Sequence, residues 1–141
     1  MNALRFWIFL ASLASFLTTA HADVVVVVNP KSPLVSMSPE QVSAIFLGKN
    51  MMLPTGSGAV LVDQAENSSL YESFYANVTG KTPSQVKAIW ARLTFSGRAL
   101  PPKTLANSAE VKKFIASHPD AIGYIDKSSL DTSVKAVLKM D

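Results

Sequence analysis

The stretch Asp63-Gln64-Ala65-Glu66-Asn67-Ser68-Ser69 lies between an apolar run, Ala59 to Val62, and a helical pattern carrying Leu70, Phe74 and Val78. Polar residues at a helix start suit anion chemistry. Unpaired backbone N–H groups and the positive end of the macrodipole can receive an oxyanion there. Ser68 and Ser69 add hydroxyls, and Gln64 and Asn67 add amides, but the stretch holds no cation. The same residues also have plainer uses: Asn67 or Ser68 can cap the helix, and Gln64 with Asn67 can form a turn. Capping and binding are compatible, because a cap leaves other N–H groups unengaged.

Arg98, in the loop Phe95-Ser96-Gly97-Arg98, is the candidate replacement cation, with simple solvation as its other reading. Arg92 falls on a helix face. Trp90, at helical spacing with Ile89 and Leu93, reads as core rather than as a ligand-stacking platform. Catalysis finds little support. His118 precedes Pro119 at a helix end, where it suits the C-terminal dipole, and neither a Ser-His-Asp order nor a carboxylate pair emerges. One histidine outside the first 22 residues, with no cysteine, does not suit a zinc site, and no cofactor is expected. Thr55-Gly56-Ser57-Gly58 lacks the Gly-Lys-Ser/Thr ending of a phosphate-binding P-loop and reads as a turn.

The elements that must position these groups follow from local pattern. Asp23 to Asn29 holds five consecutive valines, a β-branched run apolar on both faces, which predicts a strand inside a covered sheet. Asn29-Pro30 ends it. Ser38-Pro39-Glu40-Gln41 opens a helix with a cap, a first-turn proline and a capping-box glutamine, Val42, Ile45 and Phe46 form its stripe, and Gly48-Lys49 stops it. Residues 51–58 form a loop or hairpin arm, followed by a strand over 59–62. Thr82-Pro83-Ser84-Gln85 repeats the helix-start chemistry ahead of Val86, Ile89, Trp90 and Leu93; the flanks do not match, so this is common capping rather than a repeat. Thr94 to Pro102 reads as a loop, a fourth helix runs from about Asn107 to His118-Pro119, and Ala121 to Ile125 reads as a strand. Residues 134–138 fit a strand or a short helix equally well. Strands interleaved with helices predict an α/β domain, helices packed on a mixed or mostly parallel sheet.

The first 22 residues read as a cleaved secretory signal: Arg5, an apolar run from Phe6 to Leu17, and Ala20-His21-Ala22 as the cleavage site. The run is shorter than the roughly 20 residues that span a bilayer, so the expectation is a periplasmic domain over residues 23–141 that does not cross the membrane. With no cysteine among 141 residues, disulfides, thiolate metal sites and a lipidated cysteine are excluded. Loss of Arg5 lowers the formal charge from +3 to +2. That is too mild for a nucleic-acid partner, and the lysines are scattered. The sequons at Asn67 and Asn77 are equally explained by helix capping and termination.

Four segments in order carry a family resemblance: Val26-Val27-Val28-Asn29-Pro30; Ser38-x-x-Gln41-x-x-x-Ile45-Phe46-x-Gly48-Lys49; Gln64-x-x-Asn67-Ser68-Ser69; and Pro119-x-Ala121-Ile122-Gly123-Tyr124. Together they resemble the phosphate-type periplasmic substrate-binding proteins of ABC transporters, over nearly all of residues 23–141. The resemblance implies a type II periplasmic-binding fold, of which this chain is similar to a single lobe, the second, with its returning segment. It implies a non-enzymatic solute-binding role with a phosphate-like small anion as ligand and an ABC permease or another envelope protein as partner. The family's loop reads Arg-x-x-x-Ser-Gly-Thr. Gln64 stands in the arginine place, Ser68 keeps the serine, Ser69 replaces the glycine and Leu70 the threonine. Gln64 lacks the bidentate guanidinium contact, and Asp63 and Glu66 add negative charge beside the site. The resemblance therefore leaves a second role open, an interaction or regulatory module that keeps the lobe's fold without solute transport.

Overall fold

The computed structural model describes residues 23–140. The expected leader, residues 1–22, lies outside them. Five strands form one mixed sheet in the order β3-β2-β4-β1-β5: β1 (Val24–Val28), β2 (Val60–Gln64), β3 (Lys103–Leu105), β4 (Ala121–Asp126) and β5 (Lys135–Met140). β2 runs parallel to β3 and β4, whereas β1 is antiparallel to both β4 and β5. The sheet is thus mixed, half of its pairings parallel. Four α-helices cover it: α1 (Pro39–Phe46), α2 (Ser69–Phe74), α3 (Pro83–Phe95) and α4 (Ser108–Ala116). Among the described residues no helix is long and apolar enough to cross a membrane.

The valine run does what its composition predicts. Val24, Val26 and Val28 pack on one face with Phe46, Phe74 and Tyr124, while Val25 and Val27 pack on the other with Val111 and Ile115 of α4. Each valine is at most 1% exposed, and each such side chain contributes about 1.5–3 kcal/mol relative to exposure. The run reports burial on two faces and not strand direction, since β1 has no parallel neighbour.

Helix starts follow the capping chemistry. Ser38 accepts from the Gln41 N–H and the Gln41 side chain accepts from the Ser38 N–H; Thr82 and Gln85 repeat the box. Asn107 caps α4 by accepting from the Glu110 N–H. Gly48, just past α1, sits at φ +71°, the left-handed conformation that glycine adopts without strain. Trp90 is buried and donates its indole N–H to the Phe46 carbonyl at 2.9 Å, which pins α3 to the end of α1.

Three local readings need correction or completion. The helix carrying Leu70, Phe74 and Val78 is α-helical only to Phe74 and continues as a π-helical turn over Tyr75–Thr79, where Thr79 Oγ1 donates to the Tyr75 carbonyl at 2.6 Å. The loop expected from Thr94 begins later, because α3 reaches Phe95, and it ends in β3, whose three residues are too exposed to leave a burial pattern. The 134–138 segment resolves as strand from Lys135 onward, and β5 continues to Met140; it gains its hydrogen bonds by pairing with β1, with a register shift at Val26/Val27.

Candidate functional site

The parallel strands β2, β3 and β4 bring their carboxyl ends, at Gln64, Leu105 and Asp126, to one end of the sheet. In open α/β sheets that end is where ligands are held. A groove of about 320 Å³ opens there. Asp63 and Gln64 of β2 line its inner end, α3 contributes Val86, Trp90 and Phe95, and Pro101 and Pro102 lead into β3 on the opposite side. Tyr71, Glu66 and Lys87 complete its polar rim.

Asp63 is 5% exposed and is the centre of a buried hydrogen-bond cluster. The Tyr124 hydroxyl donates to Asp63 Oδ1, the Tyr75 hydroxyl to Oδ2 at 2.6 Å, and the Gln64 N–H to Oδ1 at 2.9 Å. The rings behind these hydroxyls are packed too: Tyr124 stacks on Phe74 at 3.9 Å, and Tyr75 meets Phe74 edge-on at 5.0 Å. Burial pushes the Asp63 carboxyl above its ordinary range, the three hydrogen bonds pull it partly back, and the nearby Glu66 charge adds to the rise. Burial, with the Asp63 charge next, raises Tyr71, Tyr75 and Tyr124 above the usual phenol range, so Tyr75 and Tyr124 stay protonated as they donate to Asp63.

Gln64 is 3% exposed. Its amide donates to the Tyr124 carbonyl at 2.9 Å and to Ser108 Oγ at 3.3 Å, and Ser108 Oγ also accepts from the Asp126 N–H at 3.1 Å. Both amide hydrogens are therefore engaged inside the fold, linking β2 to β4 and to the start of α4. What Gln64 can still offer is an acceptor oxygen, whereas an anion needs donors.

The other anticipated site residues sit elsewhere. Ser68 is the N-cap of α2 and accepts from the Tyr71 N–H at 3.0 Å. Asn67 and Ser69 are exposed, and Leu70 is buried as a core residue. The backbone N–H groups of Ser69 and Leu70 meet no acceptor among the described residues. Arg98 is exposed beyond the end of α3, where its N–H bonds to the Leu93 carbonyl. Of the six, only Gln64 lines the groove. The sequence reading missed Tyr75 and Tyr124 as partners of Asp63; Tyr124 did carry a signal, being a tyrosine in an otherwise apolar strand whose hydroxyl must find a partner when buried.

No family model and no curated protein matches the chain. Solved structures do. A protein from Clostridium perfringens assigned as a phosphate ABC transporter substrate-binding protein, with bound phosphate, matches with a TM-score of 0.67 at 20% identity, over 82% of this chain and 44% of its own. An ABC-type phosphate transport receptor from Vibrio cholerae matches with a TM-score of 0.65 at 19% identity, over 82% and 45%. PstS from Borrelia burgdorferi matches with a TM-score of 0.55 at 14% identity, over 82% and 46%. The described domain shares the fold of these substrate-binding proteins, and the chain spans less than half the length of each.

Proposed function

We propose that this chain is a non-enzymatic binding module of the cell envelope that takes its ligand in the groove at the carboxyl ends of β2 and β3. The observation that carries this reading is the position of the groove: a concave, largely apolar space with a few fixed polar groups, at the end of an open α/β sheet where ligands bind. The fold shared with phosphate-transporter binding proteins supports it, and the leader-like first 22 residues support periplasmic placement, with an ABC permease or another envelope protein as a protein partner. Isotope-labelled protein titrated with a small-molecule panel tests it. Saturable shifts confined to Tyr71, Trp90 and Thr104 are expected; a panel that shifts none of them overturns the reading.

Weak contact with a phosphate-like anion at Ser68, Ser69 and Leu70 is the second reading. The two N–H groups of Ser69 and Leu70 that point to no internal acceptor favour it. Against it stand the short helix, the engaged Gln64 amide, and the carboxylates of Asp63 and Glu66. Phosphate, sulfate and acetate titrations should move the Ser68 to Leu70 amides if this contact forms, and unchanged shifts at saturating anion remove it.

A further inference from the structure

The groove is unbalanced in charge. Its inner carboxylate, Asp63, is 5% exposed, yet the groups that donate to it are all neutral: two tyrosine hydroxyls and one backbone N–H. A carboxyl buried without a countercharge is biased toward its neutral form, and a cation brought beside it favours the charged one; Glu66 adds a further negative charge at the rim. Lys87 lies 3.9 Å from Glu66, with the two side chains 73% and 60% exposed. So open a pair is held weakly and is readily displaced. The walls are apolar or aromatic, with Val86, Trp90, Phe95 and Pro101 among them. Such surfaces bury an apolar body, and an aromatic face attracts a cation.

We propose that this groove binds a small organic cation with an apolar body, an arylalkyl or alkyl ammonium, its nitrogen facing Asp63 and Glu66 and its body lying between Trp90, Val86 and Pro101. The proposal rests on the reading of the groove as the ligand site and names its ligand class. Charge complementarity carries the choice. A carboxylate or phosphate would meet Asp63, Glu66 and the Gln64 acceptor oxygen, while an ammonium turns all three into partners. The ammonium supplies N–H donors, which carboxylate and amide oxygens accept.

The test is a titration of the full chain with three probes that share a phenyl body, phenethylammonium, 2-phenylethanol and phenylacetate, read by the Trp90 indole and the Tyr71 and Thr104 amide resonances. Phenethylammonium is expected to bind at least tenfold more tightly than either other probe. That preference should vanish in Asp63→Asn, fall severalfold in Glu66→Gln, and grow in Lys87→Ala, which frees Glu66 from its competing cation. Equal binding of the ammonium and the alcohol overturns the cation assignment and leaves the groove as a ligand site. Tighter binding of phenylacetate overturns it in favour of an anion. No shift with any of the three overturns both readings together. Should Asp63→Asn fail to fold, the exposed substitutions decide: an ammonium affinity unchanged in both Glu66→Gln and Lys87→Ala sinks the proposal.

Discussion

The Tyr75 hydroxyl donates to Asp63 Oδ2 across 2.6 Å, tying the π-helical turn after α2 to the carboxyl end of β2. Together with the Tyr124 hydroxyl on Oδ1, this contact fixes the wall of the groove from two sides. Tyr75→Phe keeps the ring packing and removes only the donor. Leaving a buried acceptor unsatisfied costs about 1–3 kcal/mol, so the urea midpoint should fall with the slope unchanged.

The same carboxyl makes stability depend on pH in a defined direction. Burial holds Asp63 above its ordinary value of 3.8 in the folded chain, so the folded state keeps a proton that the unfolded state releases. Its contribution is complete below that ordinary value and is lost as pH rises through the folded value. Urea midpoints of the native chain, compared with Asp63→Asn from about pH 3 to 8, should therefore decline relative to the variant as pH rises. A flat difference across the range contradicts the assignment.

Asn29 closes the end of α4 from the far side of the sequence. Its Nδ2 donates to the Ile115 carbonyl at 2.8 Å and the Ala116 carbonyl at 3.1 Å, while its Oδ1 accepts from the Lys31 N–H. Asn29→Asp removes the donor and sets a negative charge against a helix C-terminus; a loss of about 3 kcal/mol is expected, larger than for Asn29→Ala. Paired denaturation curves check the order of the two.

Gly123 lies in β4 directly beneath α4. A Cβ there would come within 3.0 Å of Ile115 Cδ1, 3.1 Å of Val111 Cγ1 and 3.3 Å of Val62 Cβ. Gly123→Ala should lower stability by about 1–3 kcal/mol through overpacking. Ile115→Val, which shortens the nearest side chain, should recover part of that loss in the double variant, measured by thermal melting.

Legibility in the sequence tracked the reach of each cause. Both capping boxes act between residues three apart, and both are present as their spacing predicts. The glycine stop after α1 is equally local. β3 escaped because its two leading residues are exposed and only its pairing with β2 makes it a strand. The π-helical turn escaped because Leu70, Phe74 and Val78 keep an α-helical spacing through it. The segment from Asp63 to Ser69 shows its negative charge in the sequence alone, through Asp63 and Glu66. The inward turn of Gln64 and the burial of Asp63 among tyrosine hydroxyls do not show there, because their partners lie on distant elements.

By itself the sequence determined the α/β class, a β1 covered on both faces and the helix starts, because each depends on residue type or on neighbours a few positions away. The tertiary structure alone decided that β1 runs against both its neighbours, that Asn29 caps a helix 86 residues on, and that Asp63 is held by Tyr124, 61 residues distant. Those contacts arise only when the sheet closes, and the charge and burial of the groove are set by them.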